Sequence, residues 1–495
     1  MVVAVLVGGI LVAGCSTDSR RQAGADESNV TEHVGELRIG IVEPMSADPA
    51  TVNPTHAIDV LAADLLYDGL TSYDAVSGLA VPELAESWDT ADGITWTFHL
   101  AERTFSDGSP VTAAAVVASL ERVRAMTSTS LAAGRLDVVA AMSAPTATDV
   151  QIVLDVADYE LPALLADPAF GVVADSSIAP TIASQTPVSG SFRVQSGGPD
   201  GATLVTVDDA VVDIDGVEFV RFDDAAAAQA ALAAGSIDIA PLGRNDVAPD
   251  RTTEHLASGA TLVAELGAAN GVWKDTANRQ AVLHTLDRDA IAVAAAGTAD
   301  RRADSLVPAG VVATAGCSAG CAPSADGPTV LGVLGATSGP VPVDVPIGDD
   351  GVTAANALIG QLSAAGLPAE LRTSDSAALR TTLAAGQLQL AVFVVVGSAP
   401  TPDPYLAATL SSVGSENLSG YASAEFDAGL STARGTSEPS ARRAAYEQLE
   451  AAALAAAPVI PLVSLGERFA VSDRVLGVES VAGLLLDGTK VRLGR

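Results

Sequence analysis

An α/β fold of two lobes around a cleft is what this sequence predicts, and three observations predict it. After an Asp92-Gly93 turn signal, Ile94, Trp96, Phe98 and Leu100 share one face while Thr95, Thr97 and His99 share the other. That alternation marks a half-buried antiparallel strand. Further on, Val341 to Val345 reads as a strand, Thr353 to Gly366 as a helix, Ala369 to Thr373 as a strand, Ser376 to Gly386 as a helix and Leu388 to Val396 as a Val-rich strand. This order implies right-handed crossovers and a parallel sheet buried on both faces. Finally, after an Ala-rich helix over Pro439 to Ala457, a strand at Val459 to Ser464 carries the chain back to the first lobe. A chain of 495 residues suits two or three domains with sizeable cores.

The N-terminus comes first in order. Val2 to Val12 is apolar and leads into Val12-Ala13-Gly14-Cys15. The run falls short of the roughly 20 residues a membrane-spanning helix needs and reads as the apolar part of a secretory signal. Its end resembles a bacterial lipobox, which implies cleavage after residue 14 and a diacylglycerol thioether on Cys15. No Lys or Arg lies between Met1 and Cys15, so the positive region usual in such signals would lie upstream. Ser16 to Glu36 is polar and aperiodic and reads as a flexible tether. These features predict a protein anchored by lipid to the extracytoplasmic face of the plasma membrane.

The formal net charge of −34 argues against nucleic acid as a partner, since phosphates would be repelled. With Cys15 lipidated, Cys317 and Cys321 remain as a pair in Cys-Ser-Ala-Gly-Cys. In an oxidising compartment a small-loop disulfide is the expected state, with a redox pair as the alternative. Neither Cys nor His lies nearby to complete a metal site, so no metal and no cofactor is expected.

Along the body, residues 37 to 43 open the first lobe with a short strand, and Leu61 to Gly69 reads as a short helix ending in glycine. Phe105-Ser106-Asp107-Gly108-Ser109-Pro110 is a turn, after which Thr112 caps a helix to about Met126. The block Leu84 to Trp88, Asp92-Gly93, Thr95 to Leu100, Phe105 to Gly108, Pro110 to Ala113, Ser119 and Arg122 resembles the N-terminal signature of the family 5 bacterial extracellular solute-binding proteins, the dipeptide/oligopeptide/nickel type. The resemblance continues through Gly235 to Ala240, Arg279-Gln280-Ala281, Leu286 to Ile291, Asp403-Pro404-Tyr405, Asn417 to Tyr421, Glu425 to Asp427 and Pro458 to Leu462. It implies a two-lobed periplasmic-binding-protein-like fold of the class II, cluster C type, with an extra N-terminal subdomain and an inter-lobe cleft. On that reading the signal is 1–14 and the lipidated tether 15–36. The first lobe takes 37–55, 178–250 and 458–495, its subdomain 56–177, and the second lobe 251–457. It also implies a monomer that delivers a peptide-like or other polar solute to an ABC permease.

No catalytic constellation emerges. His33, His56, His99, His255 and His284 are scattered, and neither a nucleophile elbow nor a phosphate-binding loop is present. His99 reads as structural, and Trp88 and Trp96 as core. In peptide-binding relatives a Trp and an Asp shortly before the Asp-Pro pair hold the ligand, the Asp pairing with its α-ammonium. The matching positions are Gly397 and Pro400, and Val396 to Pro400 carries neither charge nor large aromatic. The ligand-binding candidates are therefore Trp273, which could stack on a ligand or fill the core, and Asp403 and Tyr405, just past the buried strand. Asp403 could equally cap its loop. The expected protein is a binder and not an enzyme. An envelope lipoprotein on the same scaffold, regulating cell-wall or lipoglycan biosynthesis without transport, is the alternative.

Overall fold

Ten strands in one mixed sheet carry the chain from lobe to lobe. Their spatial order is Ala369–Ser374, Val341–Pro346, Leu390–Val396, Thr252–Leu266, Val459–Ser472, Ile239–Leu242, Glu36–Ile41, Gly216–Arg221, Gly201–Thr206 and Phe192–Gly198. The computed structural model describes residues 35–494 except 75–76, 184–185, 199, 208–211, 244–245, 250–251, 270, 309–310, 312–323, 325, 337–338, 348–350, 376–377, 380, 383–386, 397–399 and 479–490. The signal segment, the tether up to residue 34, Cys15, Cys317 and Cys321 lie outside the described residues, and Glu36, expected to end the tether, already belongs to the first strand.

The second lobe holds the predicted parallel unit. Val341–Pro346 runs parallel to Ala369–Ser374 and to Leu390–Val396, with helix Gly351–Ala364 as the first crossover. Apolar residues of Leu390–Val396 are buried on both faces, as a strand covered from two sides requires.

Two long antiparallel strands, Thr252–Leu266 and Val459–Ser472, pair from Thr252↔Ser472 to Glu265↔Val459 and run through both lobes. Ile460 and Leu462 pack in the second lobe's core, whereas Phe469 and Val471 pack in the first lobe's. Between them Ser464 to Arg468 is only half-buried. The sequence reading ends this strand at Ser464 because the polar crossing segment lacks a buried face. It gives no strand to Thr252–Leu266, whose alternation is broken by a register shift between Ala257 and Ala260.

The subdomain is a four-stranded antiparallel sheet in the order Ala85–Thr90, Thr95–Leu100, Asp149–Leu154, Val139–Ser143, backed by helix Ala113–Ala125. Trp96, Phe98 and Leu100 are buried, following the period-two pattern. The Asp92 carboxylate accepts the Ile94 and Thr95 N–H groups at 2.9 Å, and Gly93 turns with φ +72° against the Tyr159 ring. Thr112 Oγ1 caps the helix by accepting from Ala115 N at 3.3 Å. The helix expected over Leu61 to Gly69 lies earlier, at Ala57–Leu66, where Glu467 accepts the Ala57 N–H at its start. Tyr67 is already extended, and Gly190 lies against the Leu65 to Tyr67 backbone so closely that a Cβ would stand 2.7 Å from Leu65 O.

Candidate functional site

The motif residues that carry the resemblance are structural ties. Ser119 Oγ donates to Ala115 O at 2.9 Å and accepts from Val173 N at 3.1 Å. Arg122 grips Asp48 with both terminal nitrogens, at 2.9 and 2.5 Å, joining the subdomain to the first lobe. Asp238, 1% exposed, accepts the Arg38 backbone N–H at 2.9 Å and pairs with the guanidiniums of Arg38 and Arg474 at 3.2 Å. Arg279 reaches Trp273 O at 2.6 Å and Ala456 O at 3.1 Å, clamping the turn Gly271–Lys274 to the end of helix Pro439–Ala455.

The region where two bodies meet and side chains remain able to respond is the seam between the subdomain loop around Tyr159 and three second-lobe helices, Asp403–Leu410, Ala424–Arg434 and Pro439–Ala455. Tyr159 N donates to Arg434 O at 2.9 Å, and Arg442 Nε donates to the Glu160 carboxylate. Asp403 takes both arms of Arg434, at 2.8 and 2.9 Å, and the Tyr446 hydroxyl donates to it at 3.1 Å. Asp158, capping the loop by accepting Glu160 N at 2.7 Å, is the third acid of the group.

Burial dominates the electrostatics here. Desolvation, reinforced by the Asp403 and Glu160 charges, pushes the Asp158 carboxyl up to about 7. Glu160 is also raised by burial, with Arg442 opposing the shift. Burial works against the Arg434 charge, yet its pair with Asp403 leaves the guanidinium held above its ordinary value. Beside this cluster lies a cavity of about 280 Å³, walled by Tyr73, Trp88 and Tyr159 from the subdomain and by Thr401, Arg443 and Tyr446 from the second lobe.

A second charged group marks the crossing of Val459–Ser472 between the lobes. His56 Nδ1 pairs with Asp59 at 2.9 Å, and Nε2 lies 4.0 Å from Glu467. The hydrogen bond to Asp59, partly offset by burial, raises the imidazole above its usual value, and burial raises Glu467. Among the described residues, no group of three or more His, Cys, Asp or Glu could hold a metal ion.

Of the three sequence candidates, Asp403 reaches the seam but is engaged by Arg434 and Tyr446. Tyr405 is 2% exposed in the same helix, under the charges of Arg135 and Asp167, which pair with each other. Trp273 is 1% exposed within the second lobe's core and does not line the cavity. Sequence reasoning missed Asp158, Glu160, Arg434 and Arg442. The available signals were slight: two acids flanking Tyr159, and the adjacent cations Arg442 and Arg443 in an otherwise Ala-rich helix.

Comparison with known proteins places this arrangement. Residues 80–316 match the middle region of the bacterial extracellular solute-binding proteins, family 5. The peptide transport periplasmic protein SapA of Salmonella typhimurium is 37% identical over 97 residues, 18% of this chain and 17% of that one. The chain spans about half the length, or less, of the curated relatives it matches, from 10% to 52%. Among solved structures, HbpA2 from Haemophilus parasuis aligns with a TM-score of 0.78 at 19% identity, covering 93% of this chain and 99% of that one. The periplasmic murein tripeptide binding protein MppA, in its unliganded open form, aligns with a TM-score of 0.76 at 21% identity, covering 94% and 98%. At these identities the structural matches establish the two-lobed fold alone. This chain is thus similar, over residues 80–316 in sequence and throughout the two lobes in fold, to the family 5 bacterial extracellular solute-binding proteins.

Proposed function

We propose that the protein is the lipid-anchored extracytoplasmic component of an ABC importer, binding a peptide-like or other polar solute between its lobes. The observation that carries this reading is the construction of the inter-lobe region. Two continuous strands join the lobes, while a charge-paired seam that rigid-body motion can break ties the subdomain to the second lobe. Affinity then comes from lobe closure and desolvation of the solute, and no bond is made or broken. The lipid on Cys15 keeps the binder near its permease, and the polar stretch that follows it gives it reach. Asp403 and Tyr405 act by shaping the second lobe's face of the seam, and Trp273 by stiffening the lobe behind it.

The uncharged Val396 to Pro400 stretch, together with the engagement of Asp403 by Arg434, favours a second reading in which the scaffold regulates envelope assembly and transports nothing. Native mass spectrometry of the protein purified from its own host separates the two. A co-purifying ladder of oligopeptides supports delivery of peptides. An empty protein with no thermal shift across peptide, sugar and metal libraries supports the regulator. Replacing Cys15 with Ala releases the protein from membranes on this account, and continued retention contradicts the anchor.

A further inference from the structure

We propose that the cavity at the seam is a binding site for a small carboxylate carried on a ring, held by Arg443 and Thr401 between aromatic walls. Such a site operates whether or not the protein serves a permease. Three guanidiniums meet at this seam. Arg434 is paired with Asp403 and Arg442 with Glu160. Arg443, half-buried at the cavity, gives one N–H to Ser77 O at 3.2 Å; its charge is felt by Glu160, but it makes no direct ion pair among the described residues. It is therefore the cation left able to receive an anion, and a guanidinium receives a carboxylate through two parallel hydrogen bonds.

Thr401 supplies the second polar contact. It is 3% exposed, it lines the cavity, and its hydroxyl has no hydrogen-bond partner. A buried hydroxyl left unsatisfied costs about 1–3 kcal/mol, so a ligand oxygen placed there removes a penalty already present.

The walls decide what carries the carboxylate. Tyr73, Trp88, Tyr159 and Tyr446 offer ring faces and edges to an apolar ring. An apolar cavity of about 150 Å³ admits benzene, so about 280 Å³ holds a ring with a short acidic arm and is too small for an extended tripeptide. A cation is disfavoured. Asp403 and Glu160 are already paired, and Asp158, held up to about 7 by burial, offers only part of a charge. Because the walls come from both bodies, an occupant ties the subdomain to the second lobe.

Two of the three tryptophans, Trp88 and Trp96, line the cavity, so intrinsic fluorescence reads it directly. The full chain is titrated with phenylacetate, phenylacetamide and phenethylamine. The expected result is a saturable change with phenylacetate, about tenfold weaker binding of the amide and none of the amine. Arg443→Gln abolishes the preference for carboxylate over amide, Arg443→Lys keeps part of it, and Thr401→Val weakens both neutral and anionic probes by a similar factor. Melting curves establish that each variant is folded. Absence of any saturable change with phenylacetate up to about 10 mM, equal binding of the amine, or an unchanged carboxylate preference in Arg443→Gln would each overturn the assignment.

Discussion

On one side the subdomain meets the first lobe through Arg122 and Asp48; on the other it meets the second lobe through Glu160 and Arg442. The two pairs are buried alike, with side-chain exposures of 12% and 9% for the first and 9% and 13% for the second. What differs is the company each keeps. Asp48 also accepts the Ala50 N–H at 3.1 Å, so its charge is built into the turn that follows it. Glu160 sits beside Asp158 and Asp403, and burial, reinforced by these neighbouring acids, holds Asp158 up to about 7. Equal burial therefore produces one tie that is part of the fold and one that is poised to open.

The largest effect is expected from Arg122→Ala. It strands Asp48 in a buried site that cannot rehydrate without unfolding, at a cost of about 3 kcal/mol or more, measured by denaturant unfolding. Arg442→Ala also strands an acid, but the seam can open and let water reach Glu160. Its cost to global unfolding is expected to stay below about 2 kcal/mol. Equal losses in the two variants would erase the distinction between the ties.

Proton uptake gives a sharper test. An Asp freed from the seam returns to a value near 4, whereas in the closed seam Asp158 titrates at about 7. Closure thus takes up a proton. It is favoured most below about pH 4 and loses that advantage as pH rises through 7. Glu160, also raised by burial, adds to the same trend. Asp158→Asn keeps the oxygen that accepts Glu160 N and removes the titration. The seam of that variant is expected to be tighter by about 1–2 kcal/mol at pH 8 and to depend less on pH between 5 and 8 than the wild type, with the residual dependence coming from Glu160, as followed by limited proteolysis. The smallest effect belongs to a charged cluster on an open face. His99 lies 2.8 Å from Asp149 and 2.9 Å from Asp89, yet is 40% exposed. His99→Gln is expected to shift stability by under about 0.5 kcal/mol, measured as a melting temperature.

The legible parts of the molecule were those whose physics is local. Thr95–Leu100 has one drier and one wetter face, Thr112 caps its own helix, and the Leu390–Val396 run is apolar because both its faces are buried. Thr252–Leu266 was not legible, since a bulge breaks its alternation and its two halves serve different lobes. Of the site, Asp403 could be picked out beside its proline, but not its partners Arg434 and Tyr446, which stand 31 and 43 residues away. Nothing near Glu160 in sequence announces Arg442, 282 residues on. Pairs that close a seam between bodies leave no spacing to read.

Small-angle scattering of the wild type and of Arg442→Ala and Arg122→Ala at neutral pH tests the breakable seam most directly. The account predicts a larger radius of gyration for Arg442→Ala with its thermal unfolding largely retained, and for Arg122→Ala an early loss of the subdomain's fold on heating. Scattering curves for Arg442→Ala that superpose on those of the wild type, at pH 5 and at pH 8, would contradict it.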